Sequence, residues 1–187
     1  MEIRYQKFGI EITRKCNEAC AHCLRGPAEN IDIDNSIIDA FLDNNITLIE
    51  ELLITGGEPT MNGEGLEYFV DGLIKRDITV GVYKVIVNGT NWDEAFGRAI
   101  TKLDKYTKSK GWKDTYLPLV RDIGQILISQ DKFHKEADKD VLTNLRKLPC
   151  PVYVLEKNGK ILPYGRASKN NLSMMNQDIT SLIDYSK

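Results

Sequence analysis

The sequence has little of several things that would decide its class at once. No uninterrupted apolar run approaches the roughly 20 residues of a membrane span, so no membrane location is expected. The opening MEIRYQKFGIEI is broken by charge throughout and lacks the basic start and apolar stretch of a secretory signal, which makes a cytoplasmic location the expectation. Neither sign of charge dominates: 25 basic residues against 27 acidic ones leave a formal net charge of −2, with no bulk attraction for nucleic acid. There is no internal repeat and no long low-complexity segment. Cysteine is scarce too, at four, and Cys16, Cys20 and Cys23 fall within one short stretch, CNEACAHC. In a reducing compartment so tight a group points to metal rather than to disulfides. The remaining Cys150, just before Pro151, reads as a buried thiol.

What is present is an ordinary globular balance, 42% apolar and 28% charged, over 187 residues. That length suffices for one buried core, and a single domain over residues 1–187 is expected. Lys7 to Thr13 offers a first strand. Ser36, with Asp39 three residues on, resembles a capping box before the helical face of Ile37, Ile38, Phe41 and Leu42. Leu52 to Thr55 reads as a compact strand ending on Gly56-Gly57. Leu66, Phe69, Val70, Leu73 and Ile74 form a helical stripe, and Val80 to Val87 a β-branched strand ending on Asn88-Gly89. Trp92, Phe96, Ala99 and Leu103 mark a third helix that Gly111 ends. A strand over Ile123 to Ser129 follows, then a helix through Ala137, Val141, Leu142, Leu145 and Leu148 stopped by Pro149, then a strand over Val152 to Glu156.

Such alternation implies an α/β fold, with a parallel sheet covered by helices and ligands at the carboxyl ends of the strands. CNEACAHC, GGEPT, Asn88-Gly89 and Ser129-Gln130-Asp131 all follow strand ends and converge on one rim. Asn158-Gly159 between two apolar runs signals a hairpin instead of another crossover, so the expected architecture is a partial, open (β/α) barrel with a hairpin-like C-terminal segment. SKNNLSMMNQD reads as a polar connection before a short terminal helix.

The spacing C-x3-C-x2-C can wrap one compact metal centre. A structural zinc wants four protein ligands, and so does a four-iron cluster held wholly by protein; three thiolates leave one iron open to an external ligand. The alternative is zinc completed by His22, His134 or Cys150, with His22 disfavoured by its neighbour Cys23.

With Gly56-Gly57-Glu58-Pro59 after the second strand, the sequence resembles the radical S-adenosylmethionine enzymes, whose signature is C-x3-C-x-Φ-C after the first strand of a (β/α) barrel and G-G-E-P after the second. His22 stands at the usually aromatic Φ position and is implied by the resemblance as a cofactor-binding residue. The resemblance implies a [4Fe-4S] cluster on Cys16, Cys20 and Cys23 whose fourth iron is chelated by S-adenosyl-L-methionine. It further implies reductive cleavage to a 5'-deoxyadenosyl radical that takes hydrogen from a small-molecule or peptide substrate. An electron donor such as a flavodoxin or ferredoxin is implied as partner.

By the same resemblance Gly56, Gly57, Glu58 and Pro59 bind the cofactor: the glycines allow close backbone approach, and the glutamate suits the methionine ammonium. Asn88 resembles the family's N-G segment after the third strand, and Ser129 and Asp131 its S-x-D segment after the fourth, whose side chains commonly meet the methionyl carboxylate or ribose. The resemblance implies all three as cofactor-binding, and each also fits a local turn or cap. His134, on the same rim, and Arg166, in LPYGRA, are candidates for substrate contact, with an exposed helix start and a surface ion pair as the plain alternatives. Lysines 102, 105, 108, 110 and 113 give the third helix a basic outer side, read as a solvated face or as a docking site for an acidic donor. Two departures stand out: the fifth strand lacks a G-x-I-x-G-x-x-E segment, and no cysteine-rich extension for auxiliary clusters is present. The rival readings are an activase for a glycyl-radical enzyme and a non-catalytic iron-sulfur or zinc-binding module.

Overall fold

The structure is a computed structural model that describes residues 1–111, 122–156, 164–170 and 172. Five strands, β1 (Ile3–Glu11), β2 (Ile46–Thr55), β3 (Thr79–Val87), β4 (Gly124–Gln130) and β5 (Val152–Glu156), lie side by side in chain order. Every neighbouring pair is parallel. Parallel neighbours need crossovers, and these carry helices α1 (Asn35–Leu42), α2 (Gly63–Lys75), α3 (Glu94–Lys110) and α4 (Lys139–Leu145), while α5 (Gly165–Lys169) follows β5. Among the described residues β1 and β5 do not pair, so the sheet is open. The expected α/β architecture and parallel sheet are both present.

The strands bury one face under the helices. Leu52, Ile54, Tyr83, Val85, Ile126 and Ile128 alternate along β2, β3 and β4 and meet Phe69, Leu73, Phe96, Ile100 and Leu103 of α2 and α3 in one core. Lys7, Glu51 and Lys84 point to the opposite face, where Glu51 accepts ion pairs from Lys84 at 3.1 Å and Lys7 at 3.5 Å. Tyr83 is wholly buried, and its hydroxyl donates to Asp104 at 3.0 Å. Cys150 is 5% exposed within this core, as the sequence suggested.

Short polar side chains start the helices. Asp34, Asn62, Asp93 and Asp138 each accept from a backbone N–H in the first turn of α1, α2, α3 and α4. The expected capping box at Ser36 and Asp39 is therefore corrected: Asp34 caps α1 by accepting from the Ser36 N–H at 2.7 Å, and Asp39 faces outward to Tyr68 and Arg76. Gly111 ends α3 in the left-handed region (φ +57), as expected. β2 starts six residues earlier than expected, and α4 stops at Leu145. The hairpin expected at Asn158-Gly159, Lys113 and the expected terminal helix lie outside the described residues. No described helix is long and apolar enough to cross a membrane.

The proposed basic side of α3 is largely neutralised by the chain itself. Lys102 pairs with Glu67 and Asp71 of α2, Lys108 with Asp104, and Lys110 with Asp77. Pairs of this kind add little stability, and they offset the charge of three of the five lysines; no ion pair is seen for Lys105 among the described residues.

Phe69 carries the largest apolar side chain of α2 and is fully buried. Phe69→Ala is expected to cost about 3–5 kcal/mol, read as a shift in the urea midpoint.

Candidate active site

The rim is assembled where successive parallel strands end level. Glu11 of β1 lies opposite Thr55 of β2, and Val87 of β3 opposite Ile128 of β4, so the loops that follow emerge together. Beyond β1 the chain runs on through Thr13 and then doubles back. The Arg14 N–H donates to the Ile31 carbonyl at 2.8 Å and the Ile33 N–H to the Ile12 carbonyl at 3.2 Å. Thr13 Oγ1 reaches Asp32 at 2.7 Å, and Lys15 pairs with the other Asp32 oxygen. The cysteine loop is thus a closed lobe on a fixed stem.

β2 leaves the sheet against that stem. The Gly57 N–H donates to the Thr13 carbonyl and the Glu58 N–H to the Lys15 carbonyl, both at 2.7 Å. A Cβ on Gly56 would stand 2.4 Å from the Thr13 oxygen, and one on Gly57 2.1 Å from the Lys15 oxygen. No side chain fits between backbones this close. The glycine pair therefore serves a chain-to-chain approach, and the sequence reading had assigned it only a ligand.

Cys16, Cys20 and Cys23 are free, half-buried, and line one cleft together with Glu18, Gly57 and Arg25. The Cys23 N–H closes a turn onto the Cys20 carbonyl at 3.2 Å. From outside, the Arg166 N–H donates to the Cys23 carbonyl at 2.9 Å and the Asn170 side chain to the Ala21 carbonyl at 2.8 Å, so α5 braces the loop. Arg166 is placed beside the cysteines through its backbone.

Glu18 is a site residue that the sequence reading missed. It is 8% exposed and accepts from the Cys20 thiol at 3.1 Å, while its own N–H points at Cys16 Sγ at 3.4 Å. Burial, and then the Glu18 carboxylate, push the Cys20 thiol up to about 12; burial also raises Cys16, against the pull of the Glu18 N–H. Both thiols are protonated at neutral pH and must release protons to bind a metal. The only sequence signal was a carboxylate inside a cysteine loop.

Glu58 is 1% exposed. One carboxylate oxygen accepts from the Thr60 N–H at 3.2 Å and the Thr60 hydroxyl at 2.8 Å; the other accepts from the Asn88 N–H at 2.7 Å. The carboxylate thereby ties the end of β2 to the end of β3, with Pro59 starting the 3-10 turn Pro59–Asn62 behind it. Asn88 continues the chain of contacts, donating through its side chain to Asn17 at 2.8 Å and accepting from Thr90. Asn17 donates in turn to Thr90 at 2.9 Å. Asn17 and Thr90 were likewise absent from the sequence reading.

Ser129, the next-to-last residue of β4, is half-buried. Asp131 accepts from the Phe133 N–H at 2.8 Å, with His134 Nδ1 at 2.9 Å from the same oxygen and His22 Nε2 at 3.5 Å from the other. Burial alone would raise this carboxyl, but the Phe133 N–H and His134 hold it below the usual carboxylate range. The His22 ring lies 4.8 Å from Phe133 and edge-on to His134 at 4.9 Å. The structure therefore brings His22, Asp131 and His134 into one group beside the cysteine lobe.

No protein-family model matches the chain, and no curated protein matches it. Among solved structures the chain is similar to Streptococcus suis SuiB, in a crystal structure bound to precursor peptide SuiA, with 14% identity and a TM-score of 0.43. That match covers 81% of this chain and 39% of SuiB, so the chain spans less than half of SuiB's length.

Burial, with a small contribution from the Glu18 charge, raises Glu58 from 4.5 to about 7 despite its hydrogen bonds. The folded chain then holds a proton that the unfolded chain has released, so stability falls as pH rises from about 4.5 to 7 and levels off above. The decline from this group is roughly 3 kcal/mol. Urea unfolding of the metal-free chain across that range is expected to show it, and Glu58→Gln to flatten it.

Proposed function

We propose that the chain is a radical S-adenosylmethionine enzyme acting on a small-molecule or peptide substrate, with Cys16, Cys20 and Cys23 holding a [4Fe-4S] cluster. The observation that carries this reading is the cleft itself: three free thiols line it, and none of the expected zinc-completing side chains does. Cys150 is sealed in the core, while His22 and His134 stand on Asp131. Three soft sulfur donors on one lobe suit an iron-sulfur cluster with one site left for a further ligand.

The cluster and S-adenosyl-L-methionine would supply one-electron cleavage of a sulfonium C–S bond and, through it, removal of hydrogen from the substrate. The chain's part is placement. The cysteine turn, braced by α5, fixes three donors. Gly57 lines the cleft and, having no Cβ, lets the cysteine lobe's stem pack against it. Glu58, spent on Thr60 and Asn88, holds β2 and β3 at one height, so its service to a methionine ammonium is through the backbone it positions. Asn88 and Ser129 stand at the next two strand ends, where a carboxylate or ribose of the cofactor would lie. Asp131 is engaged by His22 and His134, which leaves the cofactor to Asn88 and Ser129. A flavodoxin or ferredoxin would supply the electron.

Glu18 favours one rival specifically. A carboxylate at 3.1 Å from Cys20 Sγ offers zinc a fourth ligand and a closed Cys3Glu set. Anaerobic reconstitution separates the two readings. Uptake of about four irons per chain, with reductive cleavage of S-adenosyl-L-methionine, is expected. Cys20→Ala should abolish both, and Glu18→Gln should keep the iron. One tightly bound zinc per chain, lost in Glu18→Gln, would overturn the proposal. A protein-borne glycyl radical on a partner after the same incubation would identify an activase instead.

A further inference from the structure

We propose that His22, Asp131 and His134 form a second metal site, for one divalent transition-metal ion of the zinc, cobalt or ferrous type. The site uses none of the cysteine sulfurs and does not depend on the cluster reading.

The chain has two histidines in 187 residues, and both stand on the same carboxylate. They arrive from different loops. His134 sits in the turn that ends β4, where its N–H donates to the Asp131 carbonyl at 3.1 Å. His22 comes from the cysteine lobe, whose Ala21 and Cys23 carbonyls are held by Asn170 and Arg166. One donor atom from each of the three side chains lies within 4.8 Å of the others. Two donors about 2.0–2.1 Å from a tetrahedral zinc stand about 3.3 Å apart. His134 Nδ1 stands 2.9 Å from one Asp131 oxygen and His22 Nε2 3.5 Å from the other, both near that value.

The surroundings suit a resident ion. The Asp131 side chain is 9% exposed, His134 13% and His22 22%, so the donors are shielded while one side stays open to the rim. The Phe133 N–H fixes the carboxylate from behind, and the Phe133 ring walls the His22 side. Such supporting contacts orient ligands and raise affinity. Two imidazoles and one carboxylate leave coordination positions free, as in ferrous and catalytic zinc sites. At a free position the ion would take an oxygen of the substrate, a carboxylate, amide or hydroxyl, as a further ligand.

The test removes the thiols. A chain carrying Cys16→Ser, Cys20→Ser and Cys23→Ser, shown to be folded by circular dichroism, is titrated with Co2+ and followed by its visible bands. One equivalent is expected, with no sulfur-to-cobalt charge-transfer band. His134→Ala or Asp131→Asn on that background should weaken binding at least about tenfold. No uptake by the folded thiol-free chain, or uptake that His134→Ala leaves unchanged, overturns the proposal. If the triple variant does not fold, the native chain decides: a second cobalt equivalent without thiolate character, lost in His134→Ala, is expected, and its absence overturns the site. Retained cobalt with lost iron separates this outcome from any failure of the cluster reading.

Discussion

The site depends on one close approach, in which the backbone leaving β2 lies directly against the backbone leaving β1. Two hydrogen bonds of 2.7 Å, from Gly57 and Glu58 to Thr13 and Lys15, fix the stem of the cysteine lobe to the neighbouring strand. Without a Cβ at 56 or 57 the two chains can touch; with one, the lobe would be pushed off the sheet. The position of all three sulfurs is therefore set by a sheet edge and not by the loop's own preferences, and a loop this polar has few. Rigid placement of this kind is what a site built at strand ends gains from a parallel sheet.

A second layer of order runs sideways along the rim. Glu58 joins β2 to β3, Asn88 joins β3 to Asn17, and Thr90 closes the circuit beside Glu18. Each link is a polar side chain held by hydrogen bonds; Glu58, Asn88 and Glu18 are buried, Thr90 is half-buried and Asn17 is exposed. Burying carboxylates near one another raises their cost, since Glu18 and Glu58 repel, and the surrounding N–H groups offset it. Displacing one member loosens its neighbours, because networks of this sort are not sums of pairs.

Much of the fold was legible because apolar residues kept their periods. β3, β4 and β5 and helices α2 and α3 fall close to the positions their stripes marked, and Gly111 stops α3 where a left-handed residue is needed. β2 was read too short because Glu50 and Glu51 interrupt its apolar run; in the folded chain Lys7 and Lys84 absorb the Glu51 charge from adjacent strands, a pairing that no single segment reveals. The start of α1 was misplaced because Ser36 and Asp34 are both good caps, and which one wins is decided by backbone direction. At the site, the cysteines and glycines announced themselves by spacing. The roles of Glu18, Asn17 and Thr90 did not, since each acts through a contact more than 70 residues away in the chain or through a thiol's burial. The arrival of His22 on Asp131 was invisible for the same reason, while His134 lies only three residues from it.

The bracing of Cys23 and Ala21 by residues 166 and 170 also bears on biosynthesis. The cysteine lobe emerges from the ribosome early, but its outer support is translated late. A nascent chain therefore exposes three unbraced thiols while most of the sheet is still being made, and the lobe gains its outer support only once α5 has been translated and docks.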